Sequence, residues 1–268
     1  MNNATRFFLL LLCAALLAGC GKQEITPTVP PTDAAPSETA VPVTEAPVPE
    51  TTPATEAPTL PPHSELYIEN LSVEDVLLYF NEVVLDAEYF DSGDPSLVQK
   101  WTVPISYIIH GTSTDEDRNT LVGFADWLNT IDGFPGISET TDPAEANLRI
   151  HFCDQEEMLT LMGEDYIGVD GAVTFWYENH EIYDAIICIR TDLDQHLRNS
   201  VILEELYNGL GPVQDTGLRP DSIITAEFST PQELTEIDEL LLKLLYHPDI
   251  LCGMDAAECE AVIRQLYY

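Results

Sequence analysis

Leu203-Glu204-Glu205-Leu206-Tyr207-Asn208-Gly209-Leu210-Gly211-Pro212-Val213-Gln214-Asp215 sets two carboxylates side by side in an apolar helix. Its spacing predicts a helix over 194–210 that stops at Gly211-Pro212. Glycine accepts the left-handed backbone of a helix end, and proline cannot continue the hydrogen-bond ladder. Before it, 172–177 and 182–189 read as two strands joined through Glu178-Asn179-His180-Glu181. Asn147-Leu148-Arg149-Ile150-His151-Phe152 alternates like a strand with one buried side. Further upstream, Ser72-Val73-Glu74-Asp75 has a capping-box pattern. The apolar stripe Val76, Leu77, Tyr79, Phe80, Val83 and Val84 carries that helix to about Tyr89, before the break at Gly93-Asp94-Pro95. A strand over 103–109 follows Trp101, and a helix over 115–131 follows it. Helices over 231–246 and 255–266 finish the chain. This order predicts an α+β fold, a mixed sheet packed with helices and followed by a helical C-terminal part.

The amino end sets an address. Residues 1–6 are polar with one positive charge, and 7–16 form a compact apolar run. That run is too short for a membrane span, which needs about 20 apolar residues, and it fits a signal-peptide core. Leu17-Ala18-Gly19-Cys20 then matches what a lipoprotein signal peptidase reads. Residues 1–19 are expected to be a lipoprotein signal peptide, with Cys20 lipidated and first in the mature chain. The expected location is the extracytoplasmic face of a cell membrane, held by the lipid anchor. Residues 20–63 form a Thr-, Pro- and Glu-rich stalk without aromatic residues. Such a stretch buries too little apolar surface to offset the entropy of ordering, so it is expected to be a disordered linker. Residues 64–268 are expected to form one globular domain.

Charge narrows the partners. The chain carries 47 acids and 10 bases, a net charge of −37, and 41 of those acids against 8 bases fall in 64–268. Such a surface repels nucleic acid and anionic lipid, so no nucleic-acid partner is expected. Beyond Cys13 and Cys20 the cysteines are Cys153, Cys188, Cys252 and Cys259. An exported chain sits where disulfides persist, and the nearness of Cys252 and Cys259 suggests a local bridge. Cys153 and Cys188 fall in predicted strands. Their spacing fits no zinc knuckle. No phosphate-binding glycine loop, no G-x-S-x-G elbow and no reactive-cysteine signature occurs.

The opening stretch has the spacing of the extended zincin motif H-E-x-x-H-x-x-G-x-x-H. Glu204 stands in the first histidine's place, Glu205 at the general base, Asn208 at the second histidine, Gly211 at the turn and Gln214 at the third ligand, with Asp215 adjacent. Trp101-Thr102-Val103-Pro104-Ile105 resembles the opening strand of the metzincin branch. Ala146-Asn147-Leu148-Arg149-Ile150 resembles its edge strand, and Leu234-Thr235-Glu236-Ile237-Asp238 the start of its last helix. No methionine turn is evident. A closer resemblance is to a family of bacterial lipoproteins of no assigned activity, domain of unknown function 2927. It rests on Glu204-Glu205-Leu206, Leu210-Gly211, Asp215, Leu245-Tyr246-His247-Pro248 and Gly253-Met254. Asn208 stands where that family's pattern has glutamine.

These substitutions bear on the chemistry. Catalytic zinc takes three ligands drawn from imidazole, thiolate and carboxylate. Glu204 could ligate, but Asn208 and Gln214 offer neutral carbonyl oxygens, which suit calcium better than zinc. Without zinc, a bound water keeps a pKa near about 15.7 instead of about 7, and Glu205 alone cannot offset that. No cofactor is expected, and calcium is the one metal the donors admit. The reading preferred is a catalytically inactive, pseudopeptidase-like domain that binds a peptide or protein partner, with Glu205 a vestigial general base. The alternative is a metal-dependent hydrolase or peptidase with a non-standard site. A third reading leaves Glu204, Glu205 and Asn208 as internal hydrogen-bonding groups, although buried carboxylates are rare without partners. Of the six histidines, only His196, two turns before Glu204, is a candidate ligand.

Overall fold

A computed structural model describes residues 5–6, 64–85, 97–212 and 214–267 of the chain. Cys20, the stalk, most of the expected signal peptide and the predicted end of the first helix lie outside the described residues. The strands are β1 (Thr5–Arg6), β2 (Lys100–Trp101), β3 (Ile105–Gly111), β4 (Ile137–Glu139), β5 (Leu148–Cys153), β6 (Gly171–Glu178) and β7 (Glu181–Arg190). The helices are α1 (Val73–Phe80), α2 (Asp115–Leu128), α3 (Gln155–Met162), α4 (Gln195–Asn208), α5 (Glu236–Leu245) and α6 (Ala256–Leu266).

One sheet runs β1-β6-β7-β5-β3-β4, with β2 beside the start of β7. Strands β3, β4, β5 and β7 are mutually parallel where they pair, and β6 is antiparallel to β7. The fold is therefore α+β with a mixed, mostly parallel sheet and a helical C-terminal part, as the order of patterns predicts. Asn179 and His180 both take positive φ, 52° and 66°. Two left-handed residues make the tight turn that matches the twist of a hairpin, and this turn reverses β6 into β7.

The cap that the sequence advertised at Ser72 is made, and three more boxes join it. Ser72 accepts from the Asp75 amide, while the Asp75 side chain accepts from the Ser72 amide, closing the box on α1. Thr114 with Asp117, Thr235 with Asp238 and Asp255 with Glu258 do the same for α2, α5 and α6. Each box satisfies helix-end donors that have no partner within the helix. After Phe80 the first helix widens to a π-helical turn, Asn81–Leu85.

Helix α3 and strand β4 went unread in the sequence. Eight and three residues are too short for a period to show, and both are held by tertiary contacts. Met158 and Met162 of α3 pack with Ala172, Ile186 and Cys188 on one face of the sheet. Val173, Phe175 and Ile187 face the larger core on the other, with α2, α4 and α5. Alternation along β6 sends neighbouring residues to opposite faces, so this strand is covered on both. Among the described residues no helix is long and apolar enough to cross a membrane.

The candidate acidic cleft

Helix α4 carries the site, and three sets of bonds fix it. Arg198 Nε donates to Asp117 Oδ1 at 2.9 Å, tying α4 to α2. Burial works against the ionised Asp117 carboxyl, but the Arg198 guanidinium and the Thr114 amide outweigh it and hold its pKa below the usual range. Tyr207 donates its hydroxyl to the Asp238 carbonyl at 2.9 Å, joining α4 to α5. Trp101 Nε1 donates to the Gly209 carbonyl at 2.9 Å and covers the helix end.

Two glycines set the approach. A Cβ on Gly171 would lie 2.4 Å from Val201 Cγ1 and 2.8 Å from Glu205 Cγ. Only glycine lets the start of β6 meet α4 this closely. Gly211 has φ of 127°, and a Cβ there would stand 2.3 Å from the Gln99 carbonyl oxygen. This turn frees the chain to double back, and Asp215 returns to the same cavity as Glu204 and Glu205.

That cavity measures about 60 Å³, and its walls include Asp170, Glu204, Glu205, Asp215, Ile223 and Phe228. Glu205 is 1% exposed and its Oε2 has no hydrogen-bond partner. Burial, then the nearby Glu204 and Asp215 carboxylates, pushes its pKa well above the ordinary value. Glu204 is partly buried and is pushed up to about 8, by burial first and then by Asp215 and Asp170. Burial and the neighbouring carboxylates thus both favour the neutral acid at Glu204 and at Glu205.

The sequence-predicted set is divided. Glu204, Glu205 and Asp215 meet at the cavity, although the two glutamates are neighbours in the helix. Asn208 is buried at 1% exposure with neither amide atom hydrogen-bonded, and it and Gln214 are not on the cavity wall. His196 is exposed on α4 and also stands apart from the cavity. Among the described residues, no three side chains of His, Cys, Asp or Glu converge closely enough to hold a metal ion. Glu204, Asn208 and Gln214 are therefore not brought together as the ligand set that the resembled motif needs.

Other expectations change place. Cys252 and Cys259 are free thiols here, not the local bridge that their spacing suggested. Cys252 donates to the Lys100 carbonyl, and Cys259 is buried in the core. His151 is half-buried on β5. It stacks on His110 at 4.5 Å, and burial, with help from His110 and Arg149, pushes it down to about 4.

Asp170, Ile223, Thr225 and Phe228 are wall residues that the sequence did not single out. They come from the start of β6 and from the segment after Asp215, distant in sequence from α4. Asp170 lies at 3.9 Å from Arg190 across the strand end. The Asp238 carboxylate pins the 222–225 wall. It accepts from Ser222 Oγ at 2.6 Å, Ile223 N at 3.2 Å and Tyr79 Oη at 3.0 Å, besides both donors of Thr235.

The family model described as "Protein of unknown function (DUF2927)" matches residues 74–265. The chain belongs to the DUF2927 family. No curated protein matches it. The DUF2927 match runs from within α1 to within α6 and so includes the whole cavity wall.

Proposed function

We propose that this DUF2927 protein is a lipid-anchored, extracytoplasmic binding protein whose domain holds an extended peptide along β6 without cutting it. The observation that carries this reading is the sheet edge. Strand β6 pairs with β7 along its length, and among the described residues only Thr5–Arg6 lies against its other side, antiparallel, opposite Tyr177 and Trp176. An edge strand presents unpaired backbone groups that an added strand satisfies. Both faces of β6 are already packed, so the edge is the remaining place for a ligand. If the chain is cleaved before Cys20, as the signal pattern predicts, Thr5–Arg6 leaves and the edge is open.

The absence of cutting is supported by the donor set. Glutamate, asparagine and glutamine stand where the resembled peptidases have imidazoles, and burial disfavours the ionised form that Glu205 would need as a base. Incubation of the full chain with casein and a mixed peptide library, with and without added zinc, should yield no new fragments by mass spectrometry. Cleavage that disappears in Glu205→Gln would overturn the reading. The anchor has its own check. Cys20→Ser should abolish incorporation of labelled palmitate and release the protein from membranes, whereas retained label would show that Cys20 is not the lipid site.

A further inference from the structure

The cavity at the start of β6 gathers carboxyl groups from three parts of the chain. Asp170, Glu204, Glu205, Asp215 and Glu227 all line it, and no Lys, Arg or His side chain does so among the described residues. Glu205 Oε2 is buried there without a partner. A buried acceptor left unmade costs the full desolvation of the group, so native proteins rarely retain one unless something supplies the bond. The rim adds an apolar element. Phe228 stands at the cavity and is 71% exposed, an unusual position for a phenylalanine. Carboxylates at the base and an aromatic ring at the mouth match a group with a cationic head on an apolar stem, because the ring face attracts both.

Size selects further. A water needs about 10–15 Å³ of such space, so about 60 Å³ holds a head of a few heavy atoms. That suits an ammonium with its last methylenes, or a guanidinium entering end-on. The cavity opens where β6 begins at Gly171, and a peptide lying along the β6 edge sends alternate side chains towards one face.

We infer that this cavity is a specificity pocket that receives the cationic side chain of a lysine or arginine in the bound peptide. The inference rests on the peptide-binding reading, since it names the residue such a peptide must carry. Burial and mutual repulsion favour the neutral acids in the empty cavity, and a cation offsets both, so its binding draws a proton off Glu204 or Glu205 and the resulting carboxylate accepts from the cationic head. Asp170 and Asp215 add to the field that favours the cation, and Phe228 covers its stem. Asp170 keeps Arg190 as its structural partner, so its share is the smallest.

The test separates the pocket from the edge. The full chain is titrated, with NMR detection of the cavity residues, with the acetyl-methylamide derivatives of lysine, arginine and norleucine. The lysine or arginine derivative should shift Val201, Ile223 and Phe228, with norleucine binding about tenfold more weakly or worse. The better of the two cations identifies the preferred head. Glu204→Gln, which keeps the shape of the neutral acid but cannot ionise, should weaken cation binding about tenfold at pH 8, and Asp170→Asn should weaken it less. Equal binding of norleucine, or no shift from any derivative up to its solubility limit, would overturn the pocket and leave peptide binding at β6 standing. Peptides that protect β6 equally well with lysine or norleucine at every position would overturn it too. Cation binding at the cavity in the absence of any peptide protection of β6 would instead retain the pocket and remove the edge-binding reading.

Discussion

Glu204→Gln raises the melting temperature at pH 8 by roughly 5–10 °C and changes it little at pH 4. The folded chain holds this carboxyl neutral up to about 8, whereas the unfolded chain ionises it near 4.5. A folded pKa above the unfolded one favours the fold in full below about pH 4.5, and the favour is lost as pH rises through about 8. Each pH unit in that window costs about 1.4 kcal/mol per fully shifted group. Glu204 is partly open to water, so screening reduces the total to roughly 2–3 kcal/mol. Glutamine has the shape of the protonated acid and never ionises, so it escapes this loss. Thermal melts of both proteins across pH 4 to 8 decide the matter. A shift independent of pH, or a lower melting temperature at pH 8, would show that the carboxyl is not held neutral.

Asp238→Ala should cost about 3–5 kcal/mol, since the loss of a buried charged hub strands its donors. The carboxylate is fully buried and accepts from Tyr79, Ser222, Ile223 and both donors of Thr235. Removal uncaps α5 and releases the 222–225 segment, so the cavity wall loosens along with the fold. Asp238→Asn keeps two acceptor lone pairs but turns an NH₂ towards at least one donor, and should lie between alanine and the native protein. Denaturant melts read the energy, and amide exchange at Ile223 and Ile224 reads the wall. A loss under about 1 kcal/mol with exchange at the wall unchanged would show the hub to be dispensable.

What could be read in the sequence was local. The capping box at Ser72, the hairpin turn at Asn179-His180 and the helix stop before Gly211 are each written in adjacent residues. Glu204 and Glu205 were conspicuous because two acids interrupt an apolar helix. Their meeting with Asp215 followed from the Gly211 turn. Asn208 was the misleading member. It has the motif's spacing, but it is buried away from the cavity wall. Asp170, Gly171, Ile223 and Phe228 gave no signal, because their role arises only when β6 and the 222–229 segment close over α4. Helix α3 was lost for a similar reason: its eight residues are held by Met158 and Met162 against the far side of the sheet. The thiols show the limit of spacing alone, for Cys252 and Cys259 are near in sequence and unbonded.

The most direct test of the central claim is hydrogen–deuterium exchange of the mature chain, beginning at Cys20, with an extended peptide selected from a library, followed by mass spectrometry of both partners. Residues 171–177 of β6 should gain protection while the peptide keeps its full mass. Protection confined to other surfaces, or a peptide shortened during the incubation, would contradict the account.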